Sequence, residues 1–375
     1  MSPDEALLMI ASSEADADLY YATGFLAPDP FIYFRTAGEG VLVMSDLEVD
    51  RARAQARADR VLSYSRYEEA ARSRGIAKPR MMDVLHEIFS ERKIRRLIVP
   101  PNFWVEKALL LEAMGYEIEV KKGPVFESRA VKTGEEIGRI TETLRHTEEA
   151  LDRAVRMIRE SEVRDGVLFH DGAVLTSERV KKVINLRLME NDCVARHTIV
   201  SCGEDACDPH NEGTGPLRAG VPIILDVFPQ SGTSRYFADI TRTVVKGKAP
   251  DAVIRLYEAV LQGQEAAFTR IRDGANGREI HEAVVQTFQT AGFETGEIDG
   301  RMQGFFHGTG HGLGLEVHEP PRISRLDDVL RTGHVVTVEP GLYYRGIGGV
   351  RIEDLVVVRE GGCENLTRAP KVLEV

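Results

Sequence analysis

No apolar run in these 375 residues approaches the roughly 20 that a membrane-spanning helix needs, so no membrane partner is expected. No basic stretch followed by an apolar core opens the chain, and no secretory signal is expected either. Cysteine is scarce. Cys193, Cys202, Cys207 and Cys363 form no Cys-x-x-Cys pair, which reads as free thiols in a cytoplasmic protein. Positive charge is in deficit: 48 Lys and Arg against 59 Asp and Glu give a formal −11, which disfavours a nucleic-acid partner that would want a basic face. The chain has neither the Gly-Lys-Ser/Thr of a phosphate loop nor a His-Glu-x-x-His helix.

What is present is ordinary globular composition in a chain long enough for two domains. Residues 1–127 read as a small α/β domain. Apolar runs predict strands at 7–10, 40–44 and 96–99, with helices over 46–59, 81–92 and 104–114. A boundary falls near Glu127. Beyond it Thr133-Gly134-Glu135-Glu136 is a capping box, followed by Ile137, Ile140, Leu144, Leu151, Val155 and Ile158 at helical spacing. A second helix is predicted over 176–189, then strands over 221–228 and 239–245. The order then restarts, with helices over 250–272 and 278–291 and strands over 335–338 and 350–358. Two helices followed by acid-bearing strands, twice, predict a pseudo-symmetric α+β domain over 128–375.

Five residues stand out: Asp226, Asp239, His311, Glu339 and Glu353. Singly, each acid could sit in a turn or an ion pair. Ile223-Ile224-Leu225 leads straight into Asp226, however, and Glu353 lies between Val350 and Leu355-Val356-Val357-Val358. A carboxylate inside such a run needs a partner, because burying it unpaired is costly. Four carboxylates carry −4 and two divalent cations carry +4; without cations the four acids could not all stay ionised. Four carboxylates and one imidazole make an oxygen-rich, hard set suited to Mn²⁺ or Co²⁺, with Zn²⁺ or Fe²⁺ as alternatives. Two such ions ~4 Å apart would bind a bridging water and make hydroxide at neutral pH.

These residues lie in motifs that resemble the creatinase/prolidase-like metallopeptidases. The motifs are His307-Gly308-Thr309-Gly310-His311 with Val317-His318-Glu319, Asp239-Ile240-Thr241-Arg242-Thr243, Val338-Glu339-Pro340-Gly341 and Val350-Arg351-Ile352-Glu353-Asp354. Tyr20-Tyr21-Ala22-Thr23-Gly24-Phe25 and Val131-Lys132-Thr133-Gly134-Glu135-Glu136 extend the resemblance to nearly the whole chain. It implies a pita-bread catalytic domain over 128–375 behind a creatinase-type N-terminal domain over 1–127. The implied activity is dinuclear-metal hydrolysis of Xaa-Pro bonds in dipeptides or short proline-containing peptides, as dipeptidase or aminopeptidase, in a homodimer.

By the same resemblance the five residues would be the metal ligands, with Asp239 and Glu353 bridging. Glu339 would carry a proton from the attacking water toward the leaving amine. His210 would line the substrate pocket, His307 and His318 would position the scissile carbonyl and its oxyanion, and Arg351 would orient Glu353. No role is assigned to His146, His170, His197, His281 or His334. Two departures fall beside the pocket. The family's Asp-x-Gly is here Asp226-Val227-Phe228, and the gap from Asp226 to Asp239 is two residues longer than usual. Phe228 is therefore expected to narrow the substrate site. Two other readings stand beside the peptidase: a hydrolase or lyase of a small non-peptide metabolite, and a binding protein without catalysis.

Overall fold

The computed structural model describes residues 1–375 and divides them at Glu127 into the units Met1–Glu127 and Ser128–Val375. In the first unit, strand Glu5–Ala11 is buried at five consecutive positions, which is why it reads as an unbroken apolar run. It pairs antiparallel with Phe31–Arg35 and parallel with Arg96–Val99. The six-stranded sheet runs in the order Arg60–Ser63, Gly40–Met44, Phe31–Arg35, Glu5–Ala11, Arg96–Val99, Glu117–Val120. Helix Met81–Arg92 falls where periodicity places it. The helix expected over 46–59 is shorter, Val49–Gln55, because the chain beyond it pairs parallel with Gly40–Met44 as strand Arg60–Ser63. The edge strand Glu117–Val120 is mostly exposed and therefore carries no apolar run.

In the second unit, helix Gly134–Glu160 begins with the capping box of Thr133 and Glu136 and buries Ile140, Leu144, Leu151 and Ile158. Helix Ser177–Met189 is capped by the Thr176 side chain. Strands Ile199–Cys202, Ile223–Val227 and Ile240–Val244 then form an antiparallel sheet. The second half repeats the order. Helices Asp251–Phe268 and Gly277–Thr290 precede a five-stranded sheet ordered Glu319–Ile323, Gly310–Gly312, Val335–Val338, Asp354–Arg359, Gly362–Asn365.

The run expected as one strand over 350–358 is two. Gly348–Arg351 pairs with Gly341–Tyr344, and Asp354–Arg359 pairs with Val335–Val338. Ile352 and Glu353 lie in the break between them. All four cysteines are free, and no helix is long and apolar enough to cross a membrane.

Candidate metal centre

Asp226 lies opposite Thr241 in the pairing of Ile223–Val227 with Ile240–Val244. Asp239 is two positions before Thr241 and so shares its face; both aspartates therefore point to the same side. The longer connection keeps this parity. Its Gln230–Ser231 segment pairs with Cys193–Val194, and the Gly232 N–H donates to the Asp192 carbonyl at 2.6 Å.

The other half of the unit supplies the remaining three. His311 is on Gly310–Gly312, where a Cβ on Gly310 would run into the Thr337 carbonyl, so only glycine permits this strand spacing. Glu339 follows Val335–Val338, with its N–H donated to the Thr309 carbonyl at 2.7 Å. Glu353, in the strand break, donates its N–H to the Thr241 carbonyl at 3.0 Å and accepts the Thr241 hydroxyl on Oε2 at 2.9 Å. One backbone break thus hands Glu353 to the opposite sheet.

The donor atoms converge. One ligand atom each from Asp239, His311 and Glu353 lie within 4.8 Å of one another. His311 Nε2 is 3.8 Å from Asp239 Oδ2 and 3.4 Å from Glu339 Oε1. The tautomer follows from the ring's other contact. Nδ1 lies 3.1 Å from the Gly312 carbonyl, which only accepts, so Nδ1 carries the proton and Nε2 presents a lone pair to the acids. Burial, then the neighbouring His318, holds the His311 pKa down to about 3.

Burial, then repulsion from Glu353 and Asp226, raises Asp239 well above the usual carboxylate range. Burial, then Glu339 and Asp226, does the same to Glu353. Burial raises Glu339 to about 8, against the pull of Arg351. Asp226 Oδ1, Asp239 Oδ1 and Glu353 Oε1 are buried with no hydrogen-bond partner. Such orphan acceptors are expensive among like charges, and divalent cations would satisfy all three. The donor set fits a metal centre.

A cavity of about 500 Å³ opens onto these groups, with Asp226, His311 and Glu339 in its lining. His210, His307, His318 and Phe228 line it as well, so Phe228 shares the cavity with Asp226 as parity requires. His318 sets its ring edge-on to His311, with centroids 4.3 Å apart. His307 differs from expectation. Its Nδ1 donates to the Gly308 carbonyl at 2.8 Å, so its Nε2 accepts the Tyr343 hydroxyl at 2.9 Å, and no N–H is left for a substrate oxygen in this arrangement.

Arg351 also differs. It pairs with Asp226 at 2.7 Å rather than with Glu353, donates to Tyr343 Oη at 2.8 Å, and reaches Glu353 only through Thr241. The strand break separates the two: Arg351 ends one ladder and Glu353 lies beyond it. Arg322, also in the lining, was not singled out from sequence, since an arginine after Pro320-Pro321 carries no motif signal. His281, given no role above, places Nδ1 2.9 Å from the Thr309 hydroxyl, behind the strand that bears His311.

Residues 138–360 match the Metallopeptidase family M24, and residues 5–97 match the Creatinase/Prolidase N-terminal domain. The chain belongs to metallopeptidase family M24. The Xaa-Pro dipeptidase of Pyrococcus furiosus is 32% identical over 251 residues, 66% of this chain and 66% of that protein. Xaa-Pro aminopeptidase 1 of Streptomyces coelicolor is 33% identical over 291 residues, 70% of this chain and 56% of that one. Both matches thus span less than two thirds of the relative's own length. Among solved structures, the X-Pro aminopeptidase of Thermotoga maritima superimposes with a TM-score of 0.82 at 25% identity, covering 99% of this chain and 97% of that one. This M24 chain therefore has the two-part pita-bread architecture that the motifs implied.

Proposed function

We propose that this chain is a metal-dependent exopeptidase that hydrolyses Xaa-Pro bonds in dipeptides or short peptides. The observation that carries it is the set of three buried, partnerless carboxylate oxygens beside the free Nε2 of His311. In this reading Asp226, Asp239, His311, Glu339 and Glu353 would hold two divalent cations, Mn²⁺ or Co²⁺. Bound there, the cations would polarise a water and the scissile carbonyl.

The chain's own residues do the rest. Glu339 has a side chain 21% exposed against 6% for Asp239, so it is the acid placed to take a proton from water and pass it to the leaving nitrogen. His318 offers an N–H to the developing oxyanion. His210 and Phe228 shape the pocket. His307, tied through Tyr343 to Arg351, holds the wall of the pocket and the guanidinium that pairs with Asp226. The homodimer and the cytoplasmic location belong to the same reading; the latter is supported by four free thiols.

Metal analysis paired with hydrolysis of Xaa-Pro dipeptides and longer Xaa-Pro peptides tests the proposal. Chelator should abolish turnover, and Mn²⁺ or Co²⁺ should restore it. Full activity after exhaustive dialysis against chelator, with no metal detected, would overturn it.

A further inference from the structure

Val338 and Ile352 immediately precede Glu339 and Glu353, and one side chain binds both carbonyls. Gln264 Nε2 is 2.9 Å from Val338 O and 3.2 Å from Ile352 O. Gln264 sits on helix Asp251–Phe268 and is 1% exposed. Ile352 lies in the strand break, where no ladder continues to serve its carbonyl. A side-chain amide therefore does there what strand pairing does elsewhere.

The amide's orientation is set from the other side. Its Oε1 accepts from Lys371 Nζ at 2.6 Å, and the same ammonium is 2.6 Å from Asp354 Oδ2. Carbonyls only accept and an ammonium only donates, so a flipped amide would lose all three bonds. Asp354 is also paired with Arg242 at 2.9 Å, and Arg242 Nη1 donates to the Glu353 carbonyl at 2.6 Å. The backbone on both sides of Glu353 is thus gripped from behind the centre, and the backbone before Glu339 is gripped by the same amide.

We infer that Gln264, oriented by Lys371, is a positioning residue for the metal centre: it fixes the spacing of the two backbone segments that carry Glu339 and Glu353. The inference rests on the metal-centre reading above. Each braced carbonyl belongs to the residue just before a carboxylate ligand, so parting of the two segments would move the donor oxygens of Glu339 and Glu353 apart. An apolar residue at 264 would take the side-chain donor from both carbonyls, and that of Ile352 lies outside any ladder.

The test is Co²⁺ binding by the full chain, read as calorimetric affinity and as the d–d absorption spectrum, in Gln264→Leu, Lys371→Met and Val260→Ala. Val260 is one turn earlier on the same helix and fully buried, so its truncation controls for loss of packing. Gln264→Leu should weaken Co²⁺ binding at least tenfold, within the 10–100-fold range seen when groups bracing metal ligands are removed, and should alter the spectrum. Lys371→Met should shift both in the same direction by less. Val260→Ala should lower the Tm and leave affinity and spectrum unchanged.

Affinity within twofold of the unaltered protein and an unchanged spectrum in Gln264→Leu would overturn the inference, as would an equal loss in Val260→Ala. Should Gln264→Leu not fold, Lys371→Met decides: unchanged affinity and spectrum there would also overturn it. Failure of the unaltered protein to bind Co²⁺ would instead remove the metal-centre reading and this inference with it.

Discussion

Thr241→Val is the sharpest single test of how the centre is held. The hydroxyl donates to Glu353 Oε2 at 2.9 Å, and the residue is fully buried. Valine matches the shape, so the substitution leaves no cavity and removes the bond to Glu353, together with the longer 3.4 Å bond that the hydroxyl accepts from Arg351 Nε. A bond to an ionised group contributes roughly 1.5–3 kcal/mol, and a neutral one roughly 0.5–1.5 kcal/mol. With cation bound, Glu353 is ionised and loses the larger amount. Without it, burial and the neighbouring acids raise Glu353 well above the usual carboxylate range, which favours the protonated form and the smaller loss. The difference, about 1–1.5 kcal/mol, is a roughly five- to thirteenfold weaker cation affinity. Competition between the protein and a chromogenic chelator for Co²⁺ measures it, with the cation-free Tm recorded alongside. Affinity within twofold of the unaltered protein would refute the claim that Thr241 aims Glu353.

Three further outcomes follow from the site and its surroundings. His318→Ala should keep its cations and lose about 10²–10³ in kcat, since an oxyanion donor contributes on that scale; unchanged kcat or lost metal would show the role misassigned. Phe228→Gly should shift kcat/KM between Xaa-Pro substrates with metal stoichiometry intact, because Phe228 lines the cavity; identical specificity constants would remove it from the pocket. His334 is buried, and its Nδ1 accepts the Arg331 N–H at 3.0 Å; burial, then Lys132 and Arg331, lowers its pKa to about 4. Its folded pKa is thus below the unfolded value of about 6.5, so its stabilisation is complete above 6.5 and lost as pH falls toward 4, by up to roughly 3 kcal/mol. His334→Gln should flatten that acid-side fall in unfolding free energy, and parallel curves would contradict the assignment.

The centre was legible because a buried acid at the end of an apolar strand violates the strand's own pattern, and four such violations need a common cause. Side-chain parity likewise carried Asp226 and Asp239 to one face despite the longer connection. The connections behind the acids were not legible. Arg351 and Glu353 are two apart in an apparent strand, which places them on one face until the chain breaks at Ile352. No local pattern marks that break, since Val350 and Leu355 to Val358 are apolar on either side of it. Gln264 gave no signal either: a glutamine in a helix reads as surface, and only the tertiary packing turns it inward. In the first unit, strand Glu117–Val120 escaped notice because an exposed edge needs no apolar face.

The acids of the centre come from two different sheets of the second unit. Asp226 and Asp239 belong to the sheet of the first half, and His311, Glu339 and Glu353 to the chain of the second. A cation held by these groups would therefore be a removable cross-link, closing loops that run from the 72 positions between Asp239 and His311 to the 127 between Asp226 and Glu353, much as a disulfide would. Its release leaves buried oxygens of Asp226, Asp239 and Glu353 without a partner across the seam. The cation-free protein should accordingly open along this seam before it unfolds elsewhere, with amide exchange rising first at Glu353, whose N–H donates to the Thr241 carbonyl across the two halves.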